Sequence, residues 1–172
     1  MVNDEQVAGC FVPQGHQQAT SATREVKEVI AALDLVPHPE KGYYIETFRD
    51  KHTISDDRAR STCIYYLLEG ASARSHLHSV HDVVEVWHYY ADAPWQLSLS
   101  LDDGRPVRHM ALGPDIWKDK RAQIVIQQME WQHAQSLGDW TLVGRSVSPG
   151  FDFEGFENGN PRLAAKWCIG QY

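Results

Sequence analysis

The chain has 172 residues, a formal net charge of −7 and a sequence pI near 5.7. That length suits one domain with its own core, and the acidic balance, with no Lys- or Arg-rich run, speaks against a nucleic-acid partner. Cys10, Cys63 and Cys168 share no metal-type spacing and read as reduced thiols. No apolar stretch approaches the ~20 residues that span a bilayer, and Asp4 and Glu5 stand where a targeting segment would be basic, so a cytoplasmic protein without membrane contact is expected.

Residues 1–20 lack apolar periodicity and are expected to form a flexible N-terminal arm, with 21–172 folding as one domain. Val26, Val29, Ile30 and Leu33 recur at helical spacing behind the candidate N-caps Ser21 and Thr23, which predicts one amphipathic helix ending near Pro37-His38-Pro39. From residue 43 the pattern changes to short β-type runs at 43–48, 62–68, 83–90, 96–101, 124–127 and 140–147. Turn residues such as Asp102-Asp103-Gly104 and Leu137-Gly138-Asp139 separate them, the pattern of an all-β antiparallel sandwich or barrel. Leu97, Leu99 and Leu101 alternate with Gln96, Ser98 and Ser100, giving that strand one apolar and one polar face. Phe151, Phe153 and Phe156 are expected to seal one end of the barrel.

The chemistry concentrates at His76-Leu77-His78 and Glu85. Two imidazoles at i and i+2 share one face of a strand, and a carboxylate returning on the next strand would complete the set. Such a set suits zinc, iron, manganese or nickel, and equally suits proton transfer without a metal. The plain alternative is two strand histidines exposed to solvent or hydrogen-bonded in a core. Glu85 lies among Val83, Val84, Val86 and Trp87 and is expected to be buried, where a carboxylate needs a partner; a structural salt bridge is its plain alternative. Period 2 then sends Trp87 and Tyr89 inward with Glu85 and turns Val86, His88 and Tyr90 away. Tyr44, Tyr66, Trp87 and Gln132 are candidate substrate contacts, with Tyr66, Trp87 and Tyr89 as an aromatic wall for a flat or cyclic ligand, or the aromatic residues are simply core.

The order glycine, His-x-His, Glu resembles the first motif of the cupin superfamily, in which Gly, five residues, His-x-His, three or four residues, Glu, six residues and Gly follow one another. Gly70 stands five residues before His76, whereas six residues separate His78 from Glu85 and Asp92 takes the place of the closing glycine. Pro37-His38-Pro39-Glu40-Lys41-Gly42-Tyr43-Tyr44, Ile64-Tyr65-Tyr66-Leu67-Leu68, Glu85-Val86-Trp87-His88-Tyr89-Tyr90, Leu137-Gly138-Asp139-Trp140-Thr141-Leu142-Val143-Gly144 and Pro149-Gly150-Phe151-Asp152-Phe153-Glu154 follow in the order of the small bacterial and fungal cupin type-five branch, over roughly residues 35–157. In the second motif Gln127-Gln128-Met129-Glu130-Trp131-Gln132 replaces Pro-x-Gly-x-x-His, so Gln132 stands where the last histidine ligand would be and adjacent His133 points to the other face.

The resemblance implies a cupin-like antiparallel β-barrel (double-stranded β-helix or jelly roll), a homodimer, and a small-molecule substrate inside the barrel. Two mechanisms follow. In one, as in the sugar epimerases of this fold, His76 or His78, oriented by Asp82 or Glu85, removes a proton beside a carbonyl and Tyr89 donates from the opposite side, giving isomerase, epimerase, cyclase or lyase chemistry. In the other, His76, His78 and Glu85, helped by Gln132, hold a divalent metal for lyase or oxygenase chemistry. A barrel that only binds a small ligand is the third reading.

Overall fold

The computed structural model describes residues 25–54, 57–70 and 75–159. The expected arm at 1–20, the caps Ser21 and Thr23, Cys10 and Cys168 lie outside the described residues. Helix α1 (Val26–Ala32) begins at Glu25, which makes no side-chain cap. Its apolar stripe seats it: Val26, Val29 and Ile30, with Leu33 just beyond, pack against Leu67 and Trp140. No helix among the described residues is long and apolar enough to cross a membrane.

Twelve strands follow among the described residues: β1 (Val36–Pro37), β2 (Tyr43–Arg49), β3 (Thr62–Glu69), β4 (His78–Val80), β5 (Val84–Asp92), β6 (Trp95–Ser100), β7 (Arg108–Leu112), β8 (Lys120–Arg121), β9 (Gln123–Ile126), β10 (Trp131–Ser136), β11 (Trp140–Ser148) and β12 (Phe156–Asn158). All six sequence-predicted runs are strands, displaced by at most two residues at either end. They form two six-stranded sheets, β1-β2-β3-β11-β5-β9 and β12-β4-β10-β6-β7-β8. Pairing is antiparallel throughout except between β7 and β8. From β3 to β6 and again from β9 to β12 the chain alternates between the sheets, the interleaving of a jelly roll.

The core lies between the sheets. Tyr66, Leu68, Trp87, Ile124, Ile126 and Val143 of the first sheet meet Trp95, Leu97, Leu99, Leu112 and Ala134 of the second; a large side chain as fully buried as Leu97 or Leu99 contributes roughly 1.5–3 kcal/mol. Strand β6 is covered on both faces, Ser98 and Ser100 being buried as well as the leucines, so its polar side is not the solvent face that alternation suggests. Val80, Val83, Val147, Phe151 and Phe156 form a separate cluster, and Phe153 meets both phenylalanines edge to face.

Two turn positions explain departures seen in the sequence. Asp92, in the place of the motif's closing glycine, has φ 69°, a left-handed conformation that glycine adopts without cost and aspartate tolerates. Met129 likewise has φ 63° in the turn that replaces the proline and glycine of the second motif, where Glu130 N–H donates to the Gln127 carbonyl at 3.2 Å.

Candidate functional site

The ladders place the site residues. On the inner face of the first sheet Arg145 is opposite Trp87, Val147 opposite Glu85 and Val143 opposite Tyr66. In the second sheet Gln132 is opposite His78, and Trp95 begins β6. The turn from β1 to β2 adds His38 and Glu40. Together these form a pocket between the sheets lined by His38, Glu40, Tyr66, His78, Trp95 and Arg145, with Ile64, Ser75, Trp87, Gln132 and Ala134 completing its wall. It leaves about 20 Å³ for the centre of a water-sized sphere, room for a water molecule or two.

A buried polar network stands behind that wall. Glu85, 1% exposed, accepts from Arg145 Nη1 at 2.9 Å and from Gln132 Nε2. Gln132 Oε1 in turn accepts from Trp87 Nε1 at 3.0 Å. The guanidinium lies over Trp87 and Phe151, its carbon 5.5 and 4.7 Å from the ring centroids, a cation–π contact with each ring. Both Glu85 oxygens are thus committed, and Glu85 acts by holding Arg145 and Gln132 in place.

His78, 5% exposed, donates from Nδ1 to the His76 carbonyl at 3.0 Å. That bond selects the tautomer with a lone pair on Nε2, an atom that is buried without a partner. Burial is the main cause lowering the pKa of His78, opposed by Glu85, so the ring is neutral. Glu40 Oε2 lies 3.5 Å from His78 Nδ1 and its Oε1 is buried and unpartnered. Burial raises the Glu40 pKa to about 7, against the pull of Arg145. His38 accepts the Glu40 N–H on Nδ1 at 3.1 Å, and burial, Arg145 and His78 push its pKa down to about 4. Tyr66 donates to the Lys41 carbonyl at 2.7 Å, and its hydroxyl pKa is raised, chiefly by burial.

The predicted residues therefore separate. His78, Tyr66, Trp87 and Gln132 line the pocket and Glu85 supports it. His76 does not join them: it precedes β4, so strand alternation does not govern it, and its side chain is exposed. Tyr89 does face the core cluster, but its hydroxyl donates to the Asp92 carbonyl at 2.6 Å at the strand end, away from the pocket lining. Tyr44 packs edge-on against His38, centroids 4.7 Å apart, and is not among the residues that line the pocket. Asp82 pairs with Arg58 and orients neither histidine. A divalent ion on His76, His78 and Glu85 does not fit this arrangement: one imidazole faces solvent, the carboxylate is taken, and the Arg145 cation lies beside it. No three His, Cys, Asp or Glu side chains among the described residues are grouped to hold one ion. The sequence reading passed over His38, Glu40 and Arg145. The available signal was a lone arginine in the otherwise uncharged strand β11, matched by the lone Glu85 in an apolar run.

The profile of the family described as Cupin superfamily (DUF985) matches residues 27–159. No curated protein matches the chain significantly. Among solved structures, a structural-genomics protein from Shewanella oneidensis is similar at 25% identity with a TM-score of 0.76, covering 83% of this chain and 89% of that one. A hypothetical protein from Leishmania major is similar at 27% identity with a TM-score of 0.74, covering 84% and 92%. A cupin-2 domain from Rhodospirillum rubrum, at 12% identity and a TM-score of 0.57 over 81% and 84% of the two chains, shares the fold. The interleaved sheets and a family match across most of its length make this chain a member of the cupin superfamily, in the DUF985 family.

Proposed function

We propose that the protein is a small-molecule enzyme of isomerase, epimerase, cyclase or lyase type, acting by acid–base chemistry on a carbonyl-bearing substrate at the pocket between the sheets. One observation carries this reading: His78 is a neutral imidazole whose tautomer is set by the His76 carbonyl and whose buried Nε2 lone pair has no partner. Such a group is built to accept a proton. In the proposed step His78 Nε2 takes the proton from the carbon next to the carbonyl, and the electron pair moves onto the carbonyl oxygen as an enolate. Arg145, fixed by Glu85 and in cation–π contact with Trp87 and Phe151, supplies positive charge where the oxygen becomes negative. Glu40, with a pKa near 7, returns a proton to carbon or to a leaving group. This role passes from Tyr89 to Glu40 because Glu40 lines the pocket.

The test is proton exchange. The full chain is incubated in deuterated water with a panel of oxo acids, hydroxy ketones and lactones, and loss of the signal from the carbon-bound proton is followed by NMR. The reading expects exchange on at least one class, lost in His78→Gln and strongly reduced in Glu40→Gln. Exchange that survives in a folded His78→Gln variant would remove His78 as the base.

A further inference from the structure

Six buried side-chain polar atoms among the described residues have no hydrogen-bond partner, and four of them belong to residues lining this one pocket: Glu40 Oε1, His78 Nε2, Trp95 Nε1 and Arg145 Nε. These four residues are 8, 5, 1 and 7% exposed. Folded proteins satisfy the great majority of such atoms, and each one left open costs about 1–3 kcal/mol. Their concentration in a single cavity describes a missing partner rather than scattered defects.

We infer that the pocket seats a small planar anionic head group, a carboxylate, so that the substrate class is a carboxylic acid with its carbonyl-activated carbon beside His78. The identification of His78 as base rests on the acid–base reading above; the anion seat does not. Trp95 and Arg145 offer N–H donors, which call for acceptors, and one of the donors is a cation whose flat fork matches a carboxylate. Glu85 engages Arg145 through Nη1, leaving Nε–H open. The rings of Tyr66, Trp87 and Trp95, with centroids 5.3 to 6.0 Å apart, line the pocket and favour a flat group. The space holds a water molecule or two, about the room that the two carboxylate oxygens need, so the rest of the substrate extends outward. Arg145 and Glu85 cancel, His38 and His78 are neutral and Tyr66 keeps its proton, so an entering anion meets no net negative charge while Glu40 is protonated.

The test uses the full chain with ¹⁵N-labelled indoles, the Trp95 N–H being identified by its loss in Trp95→Phe. Acetate and formate are the probes; acetamide and chloride at matched ionic strength are the controls. Acetate and formate are expected to shift the Trp95 resonance saturably at pH 6, more weakly at pH 8, with no saturable shift from either control. Arg145→Lys, which keeps a cation for Glu85 but lacks Nε–H, should weaken acetate binding at least tenfold. If it does not fold, the paired variant Glu85→Gln, Arg145→Gln should show the same loss. No shift with acetate, an equal saturable shift with chloride, or unchanged affinity in the variants would overturn the assignment. The two readings fail separately: acetate binding without carbon–hydrogen exchange on any panel compound sinks the enzyme, whereas exchange on neutral ketones with no acetate binding sinks the anion seat.

Discussion

Replacing Glu85 by alanine removes the acceptor of both Arg145 Nη1 and Gln132 Nε2 at a position 1% exposed. Breaking one side of a buried ion pair costs about 3–5 kcal/mol because the other charge stays behind unpaired. The stranded Gln132 amide adds about 1 kcal/mol or more. For a protein of this size, at roughly 2–4 °C per kcal/mol, the midpoint of thermal unfolding should fall by about 10 °C or more. Removing both partners with shape retained, Glu85→Leu with Arg145→Met, leaves no stranded charge, so the double variant should be no less stable than either single one. Urea unfolding of wild type, both single variants and the double variant gives the four corners of the cycle, with the m-value showing whether the transition stays two-state. A loss below about 1 kcal/mol for Glu85→Ala, or a double variant that costs the sum of the singles, would refute a buried, mutually dependent pair. The same double variant should lose acetate binding at Trp95, because stability and the anion seat draw on Arg145 in different ways.

Protonation of the pocket gives a second, signed expectation. Glu40 binds its proton more tightly folded than unfolded, so over pH 4.5 to about 7 it makes stability fall as pH rises. His38 is shifted the opposite way, so over about pH 4 to 6.5 it makes stability rise with pH. His78, also shifted down by burial, adds to that rise, so stability should climb to about pH 6.5 and fall from there to about pH 7. Glu40→Gln should therefore steepen the rise up to pH 6.5 and remove the fall above it, and His38→Asn should weaken the rise and keep the fall between pH 6.5 and 7; wild-type profiles in both variants would contradict the burial assigned to these groups. Gly42→Ala is expected to cost about 2 kcal/mol or more in urea unfolding, since φ is 71° there and a Cβ would strike the Leu67 carbonyl. It should also weaken acetate binding by displacing the turn that carries His38 and Glu40. Excess chelator should leave the thermal midpoint within about 1 °C of its value without chelator, because the Glu85 oxygens are committed to Arg145 and Gln132; a clear drop would restore the metal reading.

The sheet framework was legible because most strands bury a hydrophobic face. Short β-type runs bounded by turn residues located β2, β3, β5, β6, β9 and β11. Strand β10 carries no such signal, since its buried positions are Gln132, Ala134 and Ser136. Period 2 correctly carried Trp87 inward with Glu85, but the same rule applied to His76 and His78 assumed a strand that begins only at His78. Tyr89 follows the inward face, yet the bulge near its end of β5 and its bond to the Asp92 carbonyl keep the hydroxyl from the pocket. His38 and Glu40 were visible as letters in a matching segment. Nothing local in the sequence says that a turn between β1 and β2 closes over strands as distant in the chain as β4 and β11, and long-range proximity of that kind is set by the sheet order.

Glu85, Trp87 and Arg145 belong to one sheet, His78 and Gln132 to the other. The bonds Gln132 makes to Trp87 and Glu85 are therefore bonds between sheets, formed where Gln132 is also the ladder neighbour of His78. A slip of one residue in β10 would turn Gln132 out of the core and carry His133 in. It would leave Glu85 and Trp87 without partners and move the strand that flanks His78. The polar network thus ties the register of β10 to the position of the base, which an apolar core of equal volume would not do. Gln132→Leu tests this: packing should be kept, with Trp87 Nε1 and one Glu85 oxygen unpaired at a cost of about 2–4 kcal/mol. If register and site are linked as argued, the variant also loses proton exchange while Arg145 still binds acetate; full exchange activity in Gln132→Leu would show that His78 is positioned by β4 alone.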